Sequence, residues 1–266
     1  MPVITRNEKF ESKIHEMMVE DLKKSGEGRD TTKIHVSDLL SPRLSYFKKI
    51  YGNPEVSEET LGYFISGTVW HKYLQNVIYK DSMIEKEGEY AGVIATVDAI
   101  NEEVHEIKTS RKYTVPDEPE ERYIRQLMYY MAIFKKNTGV LLVIYFTAGR
   151  TVANNASSSL VFRAWKFEAT DEELEEIREE VKDCSENLQK SLDTKEFHNL
   201  PLCPAWMCGK VYNGKIESLC PFYEKCKPIG RYPEDKLLLL NKRAYSKITR
   251  KGDERKGDEE KRGKKT

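Results

Sequence analysis

The stretch from Gly92 to Lys112, GVIATVDAINEEVHEIKTSRK, constrains the chain more than any other. It predicts strands over 92–100 and 103–109 around a short polar turn at Asn101-Glu102-Glu103. The first strand carries Asp98 late in its run, and the second carries Glu106-Ile107-Lys108. Paired as a hairpin, they bring Asp98 and Glu106 together on one face and point Ile107 to the other, because strand side chains alternate. Two carboxylates about 4 Å apart repel by about 4 kcal/mol at an effective dielectric near ~20. A cation between them removes that penalty, and oxygen ligands of this kind suit a hard divalent ion, magnesium or manganese. Lys108 projects beside the same ion.

The tripeptide alone carries little, since Glu-x-Lys recurs at Glu180/Lys182, Glu234/Lys236, Glu254/Lys256 and Glu259/Lys261. A surface hairpin with ordinary charges accounts for those copies. The upstream Asp98 in a hydrophobic strand sets this copy apart.

A chain of 266 residues with 39% hydrophobic and 33% charged residues is expected to form one large domain, or one domain with attachments, with a very polar surface. No apolar run approaches a membrane span, and no secretory signal is visible, so a cytoplasmic location with no membrane partner is expected. In that compartment the five cysteines are expected as free thiols or metal ligands. Lys plus Arg and Asp plus Glu balance at 44 each. Any contact with nucleic acid must then come from a local basic patch and not from net charge.

The remaining elements follow in order. Residues 1–33 form an N-terminal extension, helical from about Glu8 to Lys24 and broken by Gly26-Glu27-Gly28. A core over 34–200 begins with a short strand or turn and a helix, with Ser41 as cap, Pro42 at the first helical position and Gly52 at the end. Arg43, Lys48 and Lys49 make that helix basic, which suits docking with solvated lysines or a DNA contact. A helix over 57–79 recurs at Leu61, Phe64, Ile65, Val69, Leu74 and Ile78, which predicts a buried face. Gly67 allows close approach, and His71, beside Trp70, taken alone is a structural residue. A strand over 83–90 precedes the hairpin. A loop over 110–120 leads to a helix over 120–137, in which Tyr123, Leu127, Tyr130, Met131 and Phe134 share a stripe and Gln126 lies four before Tyr130. Strands are expected at Val140–Thr147 and Leu160–Phe167. A helix from Thr170 to about Leu192 is opened by Asp171 and Glu172 and carries Cys184 as a packing residue.

A Cys-rich segment at 201–230 holds Cys203, Cys208, Cys220 and Cys226, a soft-ligand density that suggests an iron–sulfur cluster or zinc. The spacing is not that of a CxxC…CxxC ribbon, so zinc is not singled out. A helix at 231–249 and a disordered charged tail at 250–266 complete the chain.

His71, Asp98, Glu106-x-Lys108 and Gln126-x-x-x-Tyr130, in that order, resemble the RecB-type branch of the PD-(D/E)xK nucleases. The terminal cysteines sharpen the resemblance to its iron–sulfur members, particularly the fourth family of CRISPR-associated proteins. The resemblance implies an α/β restriction-endonuclease-like mixed sheet flanked by helices, with a Cys-rich C-terminal cluster subdomain. It implies metal ligation by His71, Asp98, Glu106 and the Ile107 carbonyl, with Mg or Mn as the ion. Lys108 would orient or help activate water, and Gln126 and Tyr130 would position Lys108 and the DNA strand. A 4Fe-4S cluster would be held by Cys203, Cys208, Cys220 and Cys226, with zinc as the alternative. The family's N-terminal ligand cysteine is missing at Ser41-Pro42-Arg43, and Cys203 would replace it. The implied activity is metal-dependent cleavage of single-stranded DNA or DNA ends, an exonuclease before an endonuclease. Arg111, Lys112, Arg122 and Arg125 would grip phosphates. CRISPR integrase components and further copies of the chain are conceivable partners. The rivals are a replication, recombination or virus-encoded nuclease, and a non-catalytic DNA-binding or zinc-stabilised interaction protein.

Overall fold

These patterns resolve, in chain order, into β1 (Ile34–His35), α1 (Val36–Leu39), α2 (Pro42–Tyr51), α3 (Glu58–Val77), β2 (Met83–Tyr90), β3 (Val93–Ile100), β4 (Val104–Ser110), α4 (Glu121–Phe134), β5 (Thr138–Ala148), β6 (Ser159–Glu168), α5 (Asp171–Thr194), β7 (Gly209–Tyr212), β8 (Lys215–Ser218) and α6 (Tyr223–Cys226). The computed structural model describes residues 30–54, 58–112, 114–148, 159–203, 209–212, 215–218 and 220–226, and helical residues 9, 12, 13, 16–18 and 20. Cys208, the loop at 149–158, the expected helix at 231–249 and the charged tail lie outside the described residues.

Six strands form one mixed sheet in the order β1-β3-β4-β5-β6, with β2 on the free side of β3. The apolar strand β5 is its hub, parallel to β4 and antiparallel to β6. Parallel neighbours require a crossover, and α4 supplies it between β4 and β5. β7 and β8 pair apart from this sheet. Among the described residues no helix is long and apolar enough to cross a membrane.

The larger core lies on the face covered by α4 and α5, where Leu127, Met128, Met131, Val143, Val181 and Leu188 are fully buried. The start of α5 is fixed by a reciprocal cap. Thr170 Oγ1 accepts the Glu173 N–H at 3.2 Å, and Glu173 accepts the Thr170 N–H at 2.9 Å. Cys184 packs in this helix as expected.

Two expectations need correction. In α3 only Leu74 of the expected apolar face is buried, while Phe64, Val69 and, just past the helix, Ile78 are more than half exposed. The helix covers a small second core of Leu74, Tyr79, Ala99, Ile107 and Ile144, and that contact is too narrow to take its whole apolar surface. In α2, Arg43 is no surface cation. It is 1% exposed and donates to the carbonyls of Leu200 and His198. Lys49 is likewise engaged, with the Thr31 and Lys33 carbonyls at 2.9 and 2.7 Å and Asp38 at 3.3 Å. These contacts favour the docking reading of α2. Ser41 holds the cap position without a side-chain cap bond, while Pro42 stands at the helix start as expected.

Candidate active site

The candidate site forms where β3 and β4 separate. They pair only at Ala99 with His105 and Ile100 with Val104. The next step of that register would set Asp98 opposite Glu106. Instead the ladder ends, and Asp98 Oδ2 accepts the Ile107 N–H at 2.7 Å. A backbone donor that would otherwise be buried without a strand partner is thereby satisfied. The β2–β3 ladder also skips at this level, between Ile84/Ala99 and Lys86/Val97. Glu85, left between them, takes the left-handed conformation (φ 49°), which disfavours a side-chain-bearing residue. Val97 then faces the larger core and Ala99 the smaller one, so β3 turns over at Asp98.

One face of the site is built by α3. His71 Nδ1 lies 3.2 Å from Asp98 Oδ1, and Gln75 Nε2 donates to the Asp98 carbonyl at 3.0 Å. The two are four residues apart and share a helix face. A Cβ on Gly67, one turn earlier, would stand 3.3 Å from Thr109 Oγ1, so the glycine lets α3 settle against β4.

The other face is built by β4 and α4. Glu106 and Lys108 align with Leu141 and Val143, which belong to the larger core, whereas Ile107 aligns with Leu142 and joins the smaller one. The alternation expected from the sequence is therefore present. Glu106 is 2% exposed, and its carboxylate forms an ion pair with Lys108. The Lys108 ammonium lies 5.8 Å from the centre of the Tyr123 ring. On the same stripe of α4, Gln126 Nε2 donates to Tyr130 Oη at 2.9 Å, both side chains being buried. Tyr123 and Gln75 are site neighbours that the motif does not name. Tyr123 is marked only by lying three residues before Gln126, and Gln75 by lying four after His71.

Electrostatics divides the two carboxylates. Burial pushes Glu106 up to about 7, Asp98 adds to the rise, and Lys108 opposes it. Burial also pushes Asp98 up, but His71, Lys108 and the Ile107 N–H together hold it below its ordinary value. Burial would lower His71 and Lys108, yet the neighbouring carboxylates raise both. Lys108 is thus a cation at neutral pH. As the side chains stand, Asp98 is turned to His71 and Glu106 to Lys108. Among the described residues no three His, Cys, Asp or Glu side chains already close around one point. The donor set of one imidazole, two carboxylates and the Ile107 carbonyl still has the chemistry of a divalent-cation site.

Four basic residues follow Lys108 in the chain, at the end of β4 and on α4. Arg111 stacks on Tyr63 with its guanidinium 3.6 Å from the ring centre. Lys112 and Arg122 meet Glu120 at 3.0 and 2.9 Å, and Arg125 meets Glu121 at 3.4 Å. Away from this site, Cys203, Cys220 and Cys226 are half-buried, and Arg43 Nη1 donates to Cys226 Sγ at 3.7 Å.

The fold class is α/β, a mixed sheet flanked by helices. The chain resembles the crystal structure of SSO0001 with a TM-score of 0.52 and 20% identity, over 82% of this chain and 98% of that one. The alkaline exonuclease LHK-Exo from Laribacter hongkongensis aligns at 0.40 and 14% identity, over 61% and 91% of the two chains. A phage-related exonuclease from Haemophilus somnus 129PT aligns at 0.42 and 10% identity, over 61% and 96%. No protein-family model matches the sequence, and no curated protein matches it.

Proposed function

We propose that this chain is a divalent-metal-dependent DNA nuclease of the RecB-like type, acting on single strands or DNA ends. One observation carries the reading: the His71–Asp98 and Glu106–Lys108 pairs both stand where β3 leaves β4. His71, Asp98, Glu106 and the Ile107 carbonyl would hold magnesium or manganese, once Glu106 exchanges the ammonium of Lys108 for the ion. When bound, such an ion supplies Lewis-acid polarisation of a phosphoryl oxygen and a more acidic water.

The chain's own groups do the rest. Asp98 is held ionised by His71 and the Ile107 N–H, which readies it as an anionic ligand. Gln75 fixes its backbone from behind. Lys108, paired with Glu106 as the side chains stand, would orient or help activate the attacking water. Tyr123 lies beside its ammonium, and the Gln126–Tyr130 pair stiffens the same helix face.

The finer assignment, an iron–sulfur enzyme of CRISPR adaptation working with integrase components, follows the sequence resemblance. Iron and sulfide analysis of protein purified without oxygen tests it, and zinc in their place would redirect it.

Purified protein is to be incubated with end-labelled single- and double-stranded DNA, with manganese, magnesium or chelator, beside Lys108→Ala. Cleavage that needs the ion and disappears in the variant establishes the activity. Cleavage that survives in the variant, or no cleavage by either protein, overturns it.

A further inference from the structure

β2 and β3 keep one register from Met83/Ile100 to Tyr90/Val93, so neither strand gains a residue along the hairpin. Glu85 therefore stands opposite Asp98, at the rung of that ladder that does not pair. Residues directly opposite each other in an antiparallel pair share a face. Lys86 shares the face of Val97, which belongs to the larger core, whereas Ile84 shares the face of Ala99, which belongs to the smaller one. On the larger-core face a Cβ at Gly88 would stand 2.8 Å from the Phe134 ring of α4. A regular strand keeps alternate residues on one face, so both strands turn over at the same rung. The left-handed backbone of Glu85 (φ 49°) is the local cause.

This turn-over decides where the Asp98 carboxylate can go. A ladder N–H points sideways within the sheet, toward the neighbouring strand. Asp98 Oδ2 accepts that of Ile107 at 2.7 Å, so the side chain runs edgewise, between the two faces. His71 reaches it from α3 on the smaller-core side, and Glu106 and Lys108 stand on the larger-core side. On an unbroken β3 the carboxylate would project to one face only, with part of the donor set across the sheet from it. A left-handed backbone is costly for a residue with a Cβ, and persists where the surrounding structure requires it. Glu85 is exposed, so burial of its side chain does not offset that cost.

We propose that Glu85 is a positioning residue for the cation site: its left-handed backbone, and not its carboxylate, turns β2 and β3 over together and sets the Asp98 carboxylate edgewise between His71 and Glu106. This role rests on the nuclease reading of the site and adds to it a residue of β2, a strand from which that reading takes no group. Glu85 acts only through Asp98.

The test is the manganese affinity of the full chain, read from the electron paramagnetic resonance signal of free Mn(II), beside thermal midpoints in chelator. Glu85→Gly, Glu85→Asn and Glu85→Val are compared with Glu87→Val, which lies on the same strand without a left-handed backbone. Glycine and asparagine accept the left-handed region, and a β-branched side chain does not. Glu85→Val is expected to bind manganese roughly 5- to 30-fold more weakly, because it favours the regular strand and the apparent affinity falls with the competent fraction. Glu85→Gly, Glu85→Asn and Glu87→Val are expected to bind as wild type does, the glycine variant with a raised midpoint. Glu85→Thr takes the place of valine if that variant does not fold. A merely structural residue would shift midpoints and leave the affinity of the folded protein unchanged. Wild-type affinity in a folded Glu85→Val, or an equal loss in Glu87→Val, overturns the role. Weaker binding by Glu85→Gly overturns it whatever valine does, and assigns the effect to the carboxylate. In each of these cases manganese binding by wild type leaves the nuclease reading standing. A wild type that binds no manganese overturns that reading, and the role of Glu85 with it.

Discussion

Asp98 accepts the backbone N–H of Ile107 across the gap where β3 and β4 part, at 2.7 Å. One carboxylate therefore closes a break in the sheet and also faces His71. The two duties separate by mutation. Asp98→Ala leaves the buried Ile107 N–H without a partner, and should destabilise the protein by about 1–3 kcal/mol. Asp98→Asn keeps an oxygen that accepts the same bond but loses the charge. We expect both variants to lose cleavage and only the alanine to lose stability, read from denaturant midpoints. Equal destabilisation by the two would show that the hydrogen bond to Ile107 contributes nothing.

Glu106 makes stability depend on pH. Its folded value of about 7 stands above the ordinary 4.5, so the folded protein holds that proton more tightly than the unfolded chain. The resulting stabilisation is complete below pH 4.5 and is lost as pH rises through 7. A shift of this size corresponds to about 3 kcal/mol. Glu106→Gln cannot titrate. In chelator, wild-type stability should fall relative to Glu106→Gln between pH 4 and pH 8 by roughly that amount. Manganese should reduce the fall, because a cation favours the ionised carboxylate. Parallel pH curves for the two proteins in chelator would exclude the effect.

Gln75 donates to the backbone carbonyl of Asp98 and, among the described residues, to no other group, so it is a positioning residue. Gln75→Leu removes one donor from a buried carbonyl and should cost about 1 kcal/mol of stability. A similar loss in the transition state corresponds to a roughly fivefold lower kcat, with KM for DNA unchanged. Gln75→Glu, which places a second acceptor against the Asp98 carbonyl, should be worse than leucine in both respects. A change confined to KM would place Gln75 in strand binding instead.

Much of this arrangement is legible in the residues. The alternation through Glu106-Ile107-Lys108 sets which side chain faces which core, and the order His71, Asp98, Glu106, Gln126 survives folding as a sequence of neighbouring elements. Two things are not legible. A register rule predicts that Asp98 opposes Glu106, and cannot say that the ladder stops one residue short, because that depends on His71 and Gln75 arriving from α3. The periodicity of α3 predicts a buried face, but it measures only the helix. How much of that face is covered depends on the sheet beneath, and here the small core around Leu74 and Ile107 leaves Phe64, Val69 and Ile78 in solvent. Arg43 illustrates the same limit. In the sequence it is one of three basic residues on α2, and its burial is decided by the carbonyls of Leu200 and His198, more than 150 positions away.

That long-range contact gives the last prediction. The Arg43 guanidinium is inside the protein, with its N–H groups on two backbone carbonyls and the sulfur of Cys226. It joins the start of the core to the segment that bears the cysteines. Arg43→Leu leaves those carbonyls buried without donors, and should cost about 2–4 kcal/mol from two or more lost bonds to a charged group. Arg43→Lys keeps the charge but cannot fork, since an ammonium is a point donor, and should recover only part of the loss. Cys226→Ser keeps an acceptor at the third position and should hardly change the stability of metal-free protein. The local consequence is sharper than the global one. In Arg43→Leu the chain around Leu200 should become accessible to protease under conditions that leave α4 and the sheet intact. Mass spectrometry of the first cleavage products will locate the cut. Cutting spread evenly over the core would mean that Arg43 supports the whole fold and does not specifically dock the cysteine-bearing segment.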